Sequence, residues 1–382
     1  MLDGLRVLDF SQYLPGPYAS LRLADQGAEV IKVEPLTGDP ARSLGAKKRG
    51  NGLVFLANNR NKKSVTINVK EPKGQEIALQ LMEESDVVLE SFRPGVMERL
   101  GLGYEKAKHA NPNIIYCSIT GYGQESSLSH FGSHDLNYVA MSGILSQLKD
   151  DQGKPVHPTI TFADLVGGIA ASESILAALV QRGIKGTGAY IDLSLTDAMV
   201  SMMNTHIHFA EEINKQNGVP QLSGDMISYH LYETKDGRYM SLGALEPKFW
   251  VNFCHAVGKE HWIPAHMSQA REDNHVYNEV KQLFLSHSQE EWISFLHKVD
   301  CCLAPVLECG ELVGSSYIQE RNLIGASSAG NIEVATTYDE SFARMNEVEA
   351  PPALSQHTEE VLEQLLKMEK ADIATLKDKK II

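Results

Sequence analysis

Leu5-Arg6-Val7-Leu8-Asp9-Phe10 opens the chain as a short apolar run, and Glu29-Val30-Ile31-Lys32-Val33-Glu34 repeats the pattern one helix-length later. Between them, residues 18–26 carry helix-like spacing. A buried strand, a helix and a second buried strand make a βαβ unit, which in a parallel sheet takes a right-handed crossover. The theme recurs with a strand over residues 64–69, a helix over 74–84 and a strand over 86–90. Further strands are predicted over 113–119 and 190–193. The expected fold is therefore α/β, with a large Rossmann-like, doubly wound domain. The turn after the first strand, Leu14-Pro15-Gly16-Pro17, lacks the Gly-x-Gly-x-x-Gly that lets a backbone approach a dinucleotide pyrophosphate, which argues against a nicotinamide cofactor.

At 382 residues the chain is longer than one core usually supports, so two domains are expected. Residues 196–216 read as one long helix, and 217–224, rich in turn formers, as a linker. Residues 229–234 and 238–242 alternate like strands around Lys235-Asp236-Gly237, a hairpin signal. A smaller α+β domain is thus predicted over 217–325, after a large domain over 1–216. Residues 326–382 contain the proline-rich turn Glu349-Ala350-Pro351-Pro352 and a polar helix over 358–367.

Composition narrows the function. A net charge of −14 argues against nucleic-acid binding, and no run of eighteen apolar residues predicts a membrane span. Five cysteines, including the adjacent Cys301-Cys302, suggest reduced thiols and a cytoplasmic setting. His206-x-His208 has no third candidate ligand nearby, so no metal is expected. Against this acidic background, residues 41–63 hold seven basic side chains (Arg42, Lys47, Lys48, Arg49, Arg60, Lys62, Lys63) and no acidic one. Such a run is a solvated face or a seat for a polyphosphate anion.

The richest chemistry lies between Gly132-Ser133-His134-Asp135-Leu136-Asn137-Tyr138 and Thr161-Phe162-Ala163-Asp164-Leu165-Val166-Gly167-Gly168. After Asp164 a small and apolar helix is predicted over 165–181, which puts the carboxylate at a helix N-terminus among unpaired N–H groups. Gly167 and Gly168 weaken that helix and admit a close neighbour. Asp164 can be a plain N-cap and His134 a satisfied loop histidine, and spacing alone does not decide.

The wording around both residues resembles the family III CoA-transferases and α-methylacyl-CoA racemases, the CaiB/BaiF-like superfamily. Ser133-His134-Asp135-Leu136-Asn137-Tyr138 with Ser142-Gly143-Ile144-Leu145 looks like the racemase branch, as does Gly243-Ala244-Leu245-Glu246-Pro247-Lys248-Phe249-Trp250. Ser91-Phe92-Arg93-Pro94-Gly95-Val96-Met97-Glu98-Arg99-Leu100-Gly101 and Cys301-Cys302-Leu303-Ala304-Pro305-Val306-Leu307 are further family phrases. The likeness runs from Leu5 to Leu362. It implies an interlocked homodimer, a return of residues 326–382 to the large domain, and an acyl-CoA thioester substrate, with CoA arriving as part of that substrate and no separate cofactor.

By the same resemblance His134 and Asp164 are the acid/base pair that moves a proton across the α-carbon of a 2-methylacyl-CoA. Histidine, with an unperturbed pKa near 6.5, can serve in either direction. Glu246 is expected to raise the proton affinity of Asp164, Asp135 to orient backbone, and N–H groups after Asp164 to receive the enolate oxygen. CoA would meet Tyr13, Leu14, Pro15, Phe92, Arg93, Arg99 and Tyr122. Arg99 could instead make a surface ion pair with Glu98 or Glu105. Family members often carry an arginine where Pro35 stands, so Arg42 or the 47–49 cluster would replace that charge, and Lys62, with the rest of residues 41–63, would add to the cationic environment of the nucleotide end of CoA. Met226, Ile227, Tyr229 and Leu245 are candidates for the acyl wall. A CoA-transferase would use Asp164 as a nucleophile forming a mixed anhydride, and a non-catalytic acyl-CoA-binding protein is a third possibility.

Overall fold

The computed structural model describes residues 1–150, 152–327, 330–336 and 348–382. It divides into two compact units, one of Met1–Met203 with Gln319–Ile382 and the other Asn204–Ile318. The first break therefore falls upstream of the expected 216/217. The predicted long helix is two helices, Leu195–Ser201 and Asn204–Ile213. Met202 and Met203 close the first with tight backbone bonds to Met199 and Val200. The return to the first unit comes at 319 instead of 326.

In the first unit, six strands form a parallel sheet: β1 Arg6–Asp9, β2 Glu29–Glu34, β3 Lys62–Thr66, β4 Val87–Glu90, β5 Ile115–Thr120 and β6 Ala189–Ser194, in the order β3-β2-β1-β4-β5-β6. The central register sets Val7 opposite Val30 on one side and Val87 on the other. Strand residues alternate between two cores. Leu8, Ile31, Val65 and Val88 face one, and Val7, Val30, Val87 and Ile115 face the other, so both faces of the sheet are covered. Strand order reverses between β1 and β4, and the crevice beyond the carboxyl ends of these two strands is where such sheets bind ligands.

The helices that matter here are α1 Pro15–Ala24, α2 Pro72–Glu83, α3 Asp135–Met141, α4 Phe162–Lys185 and α5 Leu195–Ser201. Pro15 starts α1 at its first position, where a missing N–H costs nothing. By length and composition α4 could cross a membrane. Its Ala163, Gly167, Gly168, Ala171 and Ile175 are nevertheless buried in the unit. The two glycines set the packing distances. A Cβ on Gly167 would lie 2.1 Å from Leu195 Cδ2, and one on Gly168 would lie 2.8 Å from the Pro15 carbonyl oxygen. The close neighbours are thus α5 and the head of α1.

The C-terminal segment covers the sheet edge. The His357 N–H donates to the Ser64 carbonyl (2.9 Å) and the Thr66 N–H to Thr358 Oγ1 (3.0 Å), while Leu362, Ile373 and Leu376 enter the first core. In the second unit, the predicted hairpin is present as Tyr229–Glu233 and Tyr239–Gly243, with Gly237 at φ 72° in the turn. Its core holds all three tryptophans, Trp250, Trp262 and Trp292.

Candidate active site

A cavity of about 930 Å³ opens in the first unit at the reversal of strand order. Residues 12–15 after β1, 91–94 after β4 and 119–122 at the end of β5 line it, together with His134, Asp135, Tyr138 and Asp164. The turn after β1 is held from below. Tyr13 sits at φ 64°, a conformation that costs a non-glycine residue about 1–2 kcal/mol. Its N–H donates to Asp39 Oδ1 (3.2 Å), and the Gln12 N–H donates to Ser91 Oγ (3.0 Å), tying the two loops together. Asp39 is itself buried, with its Oδ2 2.9 Å from Lys32 Nζ in an ion pair. After β4, buried Glu90 accepts the Phe92 N–H at 2.7 Å, and Gly95 at φ 77° turns the chain into the short helix Val96–Arg99.

His134 ends an extended segment and heads α3. Its carbonyl accepts the Asn137 N–H (2.8 Å), and its own N–H donates to Asn137 Oδ1 (3.0 Å). Among the described residues its ring makes no hydrogen bond, so the backbone is satisfied and the exposed imidazole is available. Beside it the Ser133 hydroxyl donates to the Tyr138 hydroxyl (2.9 Å), and the Tyr138 ring meets Tyr122 edge-on at 5.6 Å. Gly121 permits this packing, since a Cβ there would stand 2.5 Å from Tyr138 Cε1. Thr120 lines the same wall with its hydroxyl buried and without a partner among the described residues.

Asp164 is the third residue of α4, within its first turn, because the helix begins at Phe162 and not after the aspartate. That moves the expected oxyanion donors. The Leu165 N–H already donates to the Thr161 carbonyl at 3.2 Å, so the N–H groups after Asp164 belong to the helix ladder. The Asp164 N–H donates to Asp135 Oδ1 at 3.0 Å. Asp164 is pushed up to about 7, by burial first and then by the charge of Asp135. The neighbouring carboxylate sought in Glu246 is thus supplied within this unit by Asp135. A contact across 29 residues leaves no local signature, so the sequence marks Asp135 for an orienting part only.

Glu246 belongs to the second unit, where it is exposed at the head of the helix Pro247–Ala256. It stands near Cys302, whose thiol is pushed up by burial and then by Glu246. Of the acyl-wall candidates, Ile227 is fully buried in the core of that unit.

The CoA candidates separate into two groups. Tyr13, Leu14, Pro15, Phe92, Arg93 and Tyr122 line the cavity. Arg93 is exposed and, among the described residues, makes no ion pair. A Cβ on Gly132 would stand 3.1 Å from its Nη2. Arg99 is exposed outside the lining, and the alternative ion pair with Glu98 or Glu105 does not form. Arg42 and Lys62 do not reach the cavity, which corrects their assignment. Arg42 grips Glu34 through two bonds of 2.7 Å, and Lys62 is buried on Asp9 (3.4 Å), the Pro17 carbonyl and Asn59 Oδ1. Elsewhere in the basic run, Lys47, Lys48 and Arg49 are exposed, and two side chains are matched by carboxylates. Arg60 pairs with Asp25 and Glu333, and Lys63 with Glu29 and Glu360.

Comparison with known proteins supplies an independent line. The sequence model of CoA-transferase family III matches residues 2–358. Succinyl-CoA:glutarate CoA-transferase from Mus musculus is 32% identical, over 98% of this chain and 88% of its own length. Human α-methylacyl-CoA racemase is 30% identical, over 95% of this chain and 93% of its own. Among solved structures, a CAIB/BAIF family protein from Brucella suis superposes with a TM-score of 0.84 at 25% identity, covering 95% of this chain and 99% of that one.

Proposed function

Because the chain belongs to CoA-transferase family III, we propose that it is an acyl-CoA enzyme of the racemase type. It interconverts the (R) and (S) forms of a 2-methylacyl-CoA by proton transfer through an enolate. One observation carries this reading: an uncommitted imidazole, His134, and a carboxyl group pushed up to about 7, Asp164, open into one cavity. A group titrating near neutrality is a competent base when ionised and a competent acid when protonated. In one direction His134 takes the α-proton and Asp164 returns one to the opposite face. In the other direction the parts exchange, with no net change in charge. The Thr120 hydroxyl is the available donor for the enolate oxygen. The cavity walls from β1, β4 and β5 hold the CoA portion, with Arg93 as their cation. No cofactor beyond the CoA of the substrate is required.

A homodimer is part of the proposal. The α4 helix leaves Ile169, Val180 and Ile184 exposed, the last at 79%, and a second copy would cover such a face. Sedimentation at low micromolar concentration tests it, and a folded, active monomer would contradict it.

A second reading, acyl transfer with Asp164 as nucleophile, is favoured by the 32% identity to a transferase. The two readings part in D2O. A racemase deuterates the α-carbon of either enantiomer of a 2-methylacyl-CoA without any acceptor acid, and both enantiomers drift to one mixture. Acyl exchange that needs a free carboxylate and leaves the α-carbon undeuterated would overturn the racemase reading.

A further inference from the structure

The α4 helix alone should keep Asp164 ionised, since a carboxylate in a first turn is favoured by the helix dipole and by the unpaired N–H groups there. Instead it is held toward the protonated form, by burial first and then by Asp135, and the geometry shows how the second acts. Asp135 reaches from the first position of α3 to the backbone of α4 and takes the Asp164 N–H at 3.0 Å. That bond removes a donor that could have steadied the Asp164 carboxylate, and it parks a second negative charge beside it. We propose that Asp135 is a positioning residue of the reaction, fixing the head of α4 and setting a second carboxylate beside Asp164.

The surroundings leave Asp135 little competition. From α3 and its head, Tyr138 and His134 share the cavity with Asp164, and Tyr122 joins them from the end of β5. From α1, the neutral ring of Tyr18 packs at Gly168, a turn further on. Arg22 of α1 is held away, on Ser172 Oγ (3.2 Å) and the Thr336 carbonyl (2.9 Å). From α5 the contact is Leu195 at Gly167, while the Asp197 N–H donates to Ser194 Oγ at the cap of that helix. Burial and Asp135 are what act on Asp164. The inference deepens the racemase reading, and rests on it only for the effects on rate.

The test uses the full chain with 13C-labelled aspartate carboxyl groups, Asp164→Asn identifying the Asp164 resonance. Asp135→Asn keeps an oxygen acceptor for the N–H and removes the charge, whereas Asp135→Ala removes both. Asp135→Asn should lower the Asp164 titration midpoint by about one pH unit. The corresponding limb of the kcat/KM profile for α-proton exchange should move equally, with KM for the thioester unchanged. Asp135→Ala should add a fall in kcat of about tenfold, because the anchor of the helix head is lost as well. An unmoved midpoint in Asp135→Asn overturns the proposal, as does a moved midpoint with an unmoved rate profile. If the parent shows no α-proton exchange at all, the racemase reading fails, and the resonance still decides whether Asp135 controls Asp164.

Discussion

Asp9 and Asp164 are carboxylates withdrawn from water within the same unit, and their neighbours send them in opposite directions. Burial opposes ionisation at both. Around Asp9 it is outweighed by Lys32, Lys62 and the hydroxyls of Ser11 and Ser20, so this carboxyl is held below its usual range. Around Asp164 burial is reinforced by Asp135. A buried carboxylate surrounded by cations is architecture, whereas one that shares its site with another anion is poised for chemistry. The cations divide in the same way. Lys62 and Arg42 have carboxylate partners inside the fold, and Arg93 faces the cavity without one.

The largest effect should come from removing the poised groups. Asp164→Asn and His134→Ala are each expected to lower α-proton exchange by about 100- to 10,000-fold, the range general acid–base groups supply. Deuterium uptake under single-turnover conditions measures it. A loss below tenfold in Asp164→Asn would break the distinction between the two aspartates, and one below tenfold in His134→Ala would remove the histidine from the acid/base pair.

Next comes the architectural carboxylate. Asp9→Asn leaves the buried Lys32 ammonium, and Lys62 already pushed down to about 7 by burial, short of an anion and should cost about 3–5 kcal/mol of stability. Urea unfolding followed by far-ultraviolet circular dichroism is the suitable measurement, because the tryptophans all report on the other unit. Paired as it is, Asp9 stabilises the fold above its unfolded value of 3.8, and that contribution fades as pH falls through its lower folded value.

For Asp164 the sign reverses. Its folded value, about 7, lies above the unfolded 3.8, so the folded state holds the extra proton. Its stabilising contribution is complete below about pH 4 and is lost as pH rises to 7. Asp164→Asn, which does not titrate, should therefore gain on the parent by about 2–4 kcal/mol between pH 4 and pH 8. Unfolding curves of both proteins at the two pH values check this. A constant gap would mean that Asp164 is ionised throughout.

The sequence displayed the sheet plainly, because Leu5 to Phe10 and Glu29 to Glu34 are apolar runs that only a covered strand explains. Lys235-Asp236-Gly237 displayed the hairpin equally well, since Gly237 adopts the positive φ that its turn requires. Helix heads were harder. Phe162 and Ala163 resemble the helix as much as the loop, so the start of α4 was placed one turn late. The partners of the basic run were out of reach, because Arg42 meets Glu34, and Lys62 meets Asp9, only once β2, β3 and β1 are aligned. Asp135 and Asp164 were each conspicuous, but their contact depends on two helix heads converging on one cavity.

The smallest effect concerns the cations. If an unpaired charge is what marks the binding side, Arg93→Ala should raise KM for a CoA thioester by about tenfold at low salt, close to 1.4 kcal/mol. Arg93 is exposed, so the loss should shrink as added salt screens the field over a Debye length of about 8 Å at physiological ionic strength. The Arg93→Lys variant keeps the charge but not the fork, and should recover part of the loss. Arg42→Ala should leave the salt dependence of KM as in the parent and appear instead as lost stability, because its charge is matched within the fold by Glu34. Titrating KM against ionic strength in the three variants separates the outcomes. A salt-sensitive KM defect in Arg42→Ala, or none in Arg93→Ala, would show that pairing in the fold does not sort these cations.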